Sequence, residues 1–206
     1  MKNVFWDFDG VILDSMEIRD WGFREIFKNF DKKEVEELIK YHTLNGGLSR
    51  YVKIRHFFNK ILFQKISDEK VQCYANLFSS LMKQKLLNKD NLIPETIRFI
   101  KSNYKAFDFH VVSGSDEKEL RYLCKELGIQ KYFITINGSP TPKSKIVSRL
   151  IDDYKLDKKE TCLIGDSIND YEAAISNKII FFGFNNISLA AMNVNYIHSF
   201  KDFHFR

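Results

Sequence analysis

The chain has 206 residues, 44% of them hydrophobic and 29% charged, and carries a formal net charge of +5. This is enough for one substantial domain, or for a core with a smaller insertion, in a balance typical of soluble globular proteins. The charge attracts anions, but acids interleave with it, as in Asp31-Lys32-Lys33-Glu34, so neither a basic run nor a nucleic-acid module is read here.

Met1 leads straight into Val4-Phe5-Trp6, an apolar run that ends in Asp7-Phe8-Asp9-Gly10, which predicts a strand entering a turn. No apolar signal core precedes it and no run approaches membrane-spanning length, which points to a reduced, cytoplasmic protein. Helical patterns follow over residues 17–30, 33–41, 49–63 and 68–87, with Asn45-Gly46-Gly47 as a loop signal and Ser67-Asp68-Glu69 as a helix start. Further strands are predicted over 109–112, 132–136, 162–164 and 179–182, with helices over 117–127 and 145–154 between them. Strand, polar turn and helix in repeated alternation mean a parallel sheet with crossover helices. The expected fold is therefore α/β: a Rossmann-like parallel sheet core, residues 1–14 and 92–206, with an α-helical domain inserted over 15–91. The 19 Phe and 9 Tyr read as core filler. Cys73, Cys124 and Cys162 lie far apart without CxxC spacing, and the five His form no HxH or HExxH group, so neither a disulfide framework nor a zinc site is expected.

In an open parallel sheet the working site lies beyond the carboxyl ends of the strands. The polar clusters fall there. Asp7 and Asp9 point to one side of a strand end, because side chains alternate with a period of two. Two close carboxylates repel unless a cation or proton lies between them, and an oxygen-rich pair suits Mg²⁺. Taken alone, the segment reads equally as a solvated turn. Ser113-Gly114 offers a hydroxyl and a backbone N–H leading into a helix N-terminus, a natural phosphate cradle. Lys143 follows Pro140-Thr141-Pro142 at a helix start, and Gly165-Asp166-Ser167-Ile168-Asn169-Asp170 brings two more carboxylates. Each cluster has a bland structural use; four at one sheet edge favour a site.

These residues resemble the motifs of the haloacid dehalogenase superfamily over nearly the whole chain. DxDGxxxDS is matched by Asp7, Asp9, Gly10, Asp14 and Ser15, the second motif by Ser113, the lysine motif by Lys143, and GDxxxD by Asp166 and Asp170. The resemblance implies a phosphatase acting on a small phosphomonoester. Asp7 would be the nucleophile that forms an aspartyl-phosphate and Asp9 the general acid and base. Mg²⁺ would be held by Asp7, the Asp9 backbone carbonyl and Asp166, with Asp170 supporting it through water or Lys143. Ser113 and Lys143 would stabilise the transferring phosphoryl group, and Gly10, Gly114, Arg50 and Asn169 are the expected substrate contacts. The presence of Asp9 disfavours the metal-free dehalogenases and the transport ATPases of the superfamily. The helical insertion resembles a small cap that closes over the site.

Two other readings stay open. Gly46-Gly47-Leu48-Ser49-Arg50 resembles the specificity loop of a sugar phosphomutase of the β-phosphoglucomutase type, with Arg50 either a substrate contact or an exposed residue of a cap helix. A non-catalytic binding protein on the same fold is the other, weakened by the presence of Asp7, Asp9 and Asp166. The expected partner is a small phosphorylated metabolite, without nucleic acid or membrane, and the expected state a monomer or weak homodimer.

Overall fold

The computed structural model describes residues 1–205. Its centre is a six-stranded, all-parallel sheet in the order β3-β2-β1-β4-β5-β6. The strands are β1 (Asn3–Trp6), β2 (Asp108–Asp116), β3 (Thr135–Ser139), β4 (Thr161–Gly165), β5 (Ile180–Phe184) and β6 (Asn195–Ile197). A parallel sheet is covered on both faces, so its inner strands read as unbroken apolar runs. Val4, Phe5 and Trp6 are all buried, as are Cys162, Leu163 and Ile164. Alternation divides them between two layers: Val4, Trp6, Cys162 and Ile164 pack on one face, Phe5 and Leu163 on the other.

The first four helices after β1 are α1 (Met16–Ile26), α2 (Lys32–Leu44), α3 (Arg50–His56) and α4 (Asp68–Lys85). Their apolar faces meet in a cluster that includes Phe23, Phe27, Phe57 and Phe78. The remaining helices, α5 (Pro94–Asn103), α6 (Glu117–Glu126), α7 (Lys143–Tyr154), α8 (Ile168–Asn177) and the short α9 (Ile187–Ala190), accompany the sheet. Trp6 packs against Phe99, Phe109 and Phe200, so the aromatic load fills the core as expected. Cys124 and Cys162 are buried free thiols and Cys73 is an exposed one. No helix among the described residues is long and apolar enough to cross a membrane.

Three expectations need correction. The third strand begins at Thr135 rather than residue 132, because Gln130–Tyr132 closes a 3-10 turn first. The helix expected over 49–63 gives way at Phe57 to a π turn, Phe57–Ile61. Most important for the site, Ser113-Gly114 does not open a helix. β2 continues through it to Asp116, which pairs with Ser139 after a register shift, and α6 starts at Glu117 with Asp116 as its N-cap.

The order 3-2-1-4-5-6 reverses direction at β1. In such a sheet the crevice opens beyond the carboxyl ends of the strands at the reversal, here β1 and its neighbours β2 and β4.

Candidate active site

Asp7 follows the last residue of β1, and its N–H donates to the Ile164 carbonyl of β4 at 3.0 Å, which fixes it beside the end of that strand. Asp166 follows β4, and Asp170 lies in the first turn of α8. One carboxylate oxygen from each of Asp7, Asp166 and Asp170 lies within 4.8 Å of the others. Lys143, first residue of α7, reaches into this group: Nζ is 2.9 Å from Asp7 Oδ1 and also donates to Asp170 Oδ1. Asp170 Oδ2 accepts from the Ser167 N–H (3.1 Å) and Oγ (2.5 Å), a capping box that orients it towards Lys143.

Three carboxylates and one ammonium leave an excess of negative charge in a buried site. Burial, with Asp170 adding to it and Lys143 opposing, pushes the Asp7 carboxyl up to about 7. Burial, then Asp7 and Asp170, push Asp166 well above the usual carboxylate range. For Lys143, burial works against the charge but Asp170 and Asp7 outweigh it, so its pKa rises. A hard cation fits such a donor set, because oxygen ligands that repel each other are relieved by a divalent charge. Gly10 makes room for the Asp166 carboxylate: its φ is +76°, and a Cβ there would lie 2.0 Å from Asp166 Oδ2.

Asp9 has a different environment. Its Oδ1 accepts from Ser15 Oγ (2.5 Å) and Arg19 Nε (2.6 Å), and its Oδ2 from Ser115 Oγ (2.5 Å). Burial would raise its pKa, but Arg19, Ser115 and Ser15 together hold it below the usual range. Arg19 is the cation that meets the Asp9 carboxylate, which lies outside the group of Asp7, Asp166 and Asp170.

Arg19 continues a chain of charge: its Nη1 is 3.3 Å from Glu119 Oε1. Glu119, fully buried on α6, also takes both Nη groups of Arg50 at 2.7 and 2.8 Å. Arg50 Nη1 donates to Ser79 Oγ as well, and the guanidinium stacks 4.7 Å from the Phe78 ring. Arg50 is thus a buried tie between α3, α4 and α6, which corrects its reading as an exposed residue. Next to it, the buried Lys53 has only neutral hydrogen-bond partners among the described residues, His42 Nδ1 at 2.7 Å and the Gly46 carbonyl at 3.0 Å. Burial, with Arg19 and Arg50 nearby, lowers the Lys53 pKa to about 7.

The loop between α2 and α3 sits against the strand ends. A Cβ on Gly114 would lie 2.2 Å from the Gly47 carbonyl oxygen, and one on Gly47 would meet Ser167 Oγ at 2.7 Å. Asn169 lines a cavity of about 180 Å³ with Gly47, Gly114, Ser139 and Lys143, and its Oδ1 is buried without a partner. Ser113 is buried, and its Oγ accepts from the Ser115 N–H at 3.1 Å. The sequence reading missed Ser115, Arg19, Glu119, Lys53 and Ser167. Period two from Ser113 points to Ser115, and a four-residue step from Ser15 places Arg19 on the same face of α1. No local signal marks Glu119.

A family model described as haloacid dehalogenase-like hydrolase matches residues 1–177. No curated protein matches the chain. Solved structures match over nearly its full length. A haloacid dehalogenase-type hydrolase of Entamoeba histolytica superposes with a TM-score of 0.78 at 18% identity, covering 100% of this chain and 96% of the other. A β-phosphoglucomutase of Clostridium difficile gives 0.76 at 17% identity, covering 100% and 94%. A predicted phosphoglycolate phosphatase of Haemophilus somnus gives 0.74 at 17% identity, covering 98% and 96%. At these identities the likeness is one of fold.

Proposed function

Since the chain belongs to the haloacid dehalogenase-like hydrolase family, we propose that it is a Mg²⁺-dependent phosphatase of small phosphomonoesters. The observation that carries this reading is the group of Asp7, Asp166 and Asp170, two of them buried and paired with Lys143. Asp7 and Asp166, with the Asp9 backbone carbonyl, would hold the ion. When bound, Mg²⁺ supplies the positive charge that lets a carboxylate approach a phosphate dianion.

Asp7 is the nucleophile. Its Oδ1 is engaged by the Phe8 N–H (2.8 Å) and Lys143, which leaves Oδ2 to attack phosphorus and form the aspartyl-phosphate. Lys143 balances the phosphoryl charge, and the Ser113 hydroxyl, which accepts from Ser115, is free to donate to a phosphoryl oxygen. Asp9 hands a proton to the leaving alkoxide, then takes one from the water that cleaves the aspartyl-phosphate. Residues 15–91 act as a cap over the core formed by 1–14 and 92–206, supported by the close approach of Gly47 to Gly114. Closure excludes water and admits only small substrates.

The test is phosphate release from a panel of phosphorylated metabolites, with Mg²⁺ added or chelated. Turnover that needs Mg²⁺ and vanishes in Asp7→Asn supports the reading; turnover in the folded variant at the wild-type rate removes it.

A further inference from the structure

We propose that Asn185 and Asn186, which follow β5, are positioning residues whose side-chain amides hold together the two loops of the proposed metal site. The inference rests on the Mg²⁺-dependent reading of that site and adds a support from a strand that carries none of its ligands.

The site is built from two loops, one after β1 that carries Asp7 and Gly10, the other after β4 that carries Asp166. They touch where the Gly10 backbone faces the Asp166 carboxylate, too closely for a side chain at position 10. The next strand in the sheet is β5. From its end, Asn186 Nδ2 donates to the Asp166 carbonyl at 2.7 Å, and Asn185 Nδ2 donates to the Gly10 carbonyl at 3.0 Å. The second bond reaches past β4, because β5 lies two places from β1 in the sheet. Two neighbouring amides thus grip one backbone carbonyl from each loop, across 20 and 175 residues of sequence.

Local structure does not account for asparagine at these positions. Asn186 caps α9, its Oδ1 accepting from the Ser188 N–H at 3.0 Å. Ser or Asp caps a helix as well as Asn does. Of the three, only Asn keeps its donor on a separate atom from the acceptor that makes the cap. Asn185 has φ +54°, a left-handed conformation that Gly adopts without strain. Here too the amide adds a donor that the turn itself does not need. The loop is in turn held from β6. The Asn186 N–H donates to Tyr196 Oη at 3.1 Å, and the Tyr196 ring lies against Gly183, where a Cβ would meet its Cδ2 at 2.9 Å.

Holding the Asp166 carbonyl fixes the main chain from which that carboxylate projects. Holding the Gly10 carbonyl fixes the wall it leans on. Groups that orient the ligands of a metal govern its affinity although they never touch it. Asn186 is half-buried and Asn185 exposed, so the larger share falls to Asn186, whose bond is better shielded from water.

The test uses two variants that keep the local fold. Asn186→Ser retains the cap but is too short to reach Asp166, and Asn185→Gly retains the left-handed turn without the amide. Binding of Mg²⁺ alone is measured by calorimetry after chelation and dialysis, and phosphate release from p-nitrophenyl phosphate is followed against Mg²⁺ concentration. The double variant should bind Mg²⁺ about tenfold to a hundredfold more weakly than the wild type, with most of the loss already present in Asn186→Ser. Its half-maximal rate should need more Mg²⁺ by the same factor, while KM for the ester at saturating Mg²⁺ stays within about twofold. A role in folding alone predicts a lower melting temperature in chelator with Mg²⁺ affinity within about threefold of the wild type, and that result overturns the inference. Failure of both single variants to fold overturns it too, since support of the fold would then be their role. Weakened Mg²⁺ binding in variants of a protein that hydrolyses no ester leaves the inference standing and counts against the phosphatase reading instead. A wild type that binds no Mg²⁺ removes the metal reading, and the inference with it.

Discussion

Arg19 Nε lies 2.6 Å from Asp9 Oδ1, so the residue proposed to carry a proton in catalysis is held as a carboxylate by a buried guanidinium. A general acid must hold its proton when the leaving group departs. Activity that depends on it falls as pH rises through its pKa in the free enzyme, and kcat/KM reports that value. Because Arg19 depresses the Asp9 pKa, this alkaline limb lies low in the wild type. In Arg19→Met it should move up by roughly 1–3 pH units, the usual effect of an adjacent opposite charge. The profile is to be measured on an alkyl phosphate, whose leaving group needs the proton. A limb that stays in place belongs to another group.

Metal-free protein should respond to pH through Asp7. Its folded value of about 7 lies above the ordinary 3.8, so the folded state binds more protons than the unfolded state between these values. Stability in chelator should therefore fall as pH rises from about 4 to about 7, and Asp7→Asn should flatten this slope. Saturating Mg²⁺ should oppose the fall, since ligation favours the ionised carboxylate. Urea unfolding at several pH values checks both. A wild-type slope that Asp7→Asn leaves unchanged would show that Asp7 ionises normally.

The sheet and its acidic edge were legible because they are local. Val4-Phe5-Trp6 and Cys162-Leu163-Ile164 are buried on both faces and lead into Asp7 and Gly165-Asp166, so apolar run and chemistry adjoin in the sequence. The electrostatics around Asp9 were only partly legible: Ser15 and Arg19 lie 6 and 10 residues away, but the rest of the network comes from afar. Ser115 is 106 residues away, and the Arg50–Glu119 tie spans 69. A charge on an amphipathic helix looks solvated until packing buries it, as with Lys53, three residues beyond Arg50 on the same face. Ser113-Gly114 was read as a turn for a related reason. Its polar composition mimics a strand end, and only the pairing of Asp116 with Ser139 on β3 keeps it extended.

Gly10→Ala should damage the proposed metal site without removing a ligand. The residue has φ +76°, a conformation that L side chains resist, and its new Cβ would lie 2.0 Å from Asp166 Oδ2. Asp166 must swing away or the turn must open. The expected cost is about 1–3 kcal/mol in stability, in line with a strained backbone position, together with weaker Mg²⁺ binding. Calorimetric titration with Mg²⁺ and thermal unfolding measure the two separately. Unchanged Mg²⁺ affinity would show that the position of Asp166 does not govern the metal.

Arg50→Ala discriminates between a structural and a substrate-binding guanidinium. In this fold Arg50 holds Glu119 through two hydrogen bonds, with both side chains buried. Removing it leaves a fully buried carboxylate with Arg19 as its remaining cation, 3.3 Å away. Breaking a buried pair from one side typically costs about 3–5 kcal/mol, and that partial compensation places the expected loss near 3. Replacing both partners by apolar residues removes the unpaired carboxylate but also takes Glu119 from Arg19, so Arg50→Leu with Glu119→Leu should recover part of the loss. A double-mutant cycle in urea unfolding measures the coupling. If Arg50 served the substrate instead, Arg50→Ala would keep its stability and lose kcat/KM only on compounds with an anionic tail. The cycle would then show little coupling, and the recovery in the double variant would be absent.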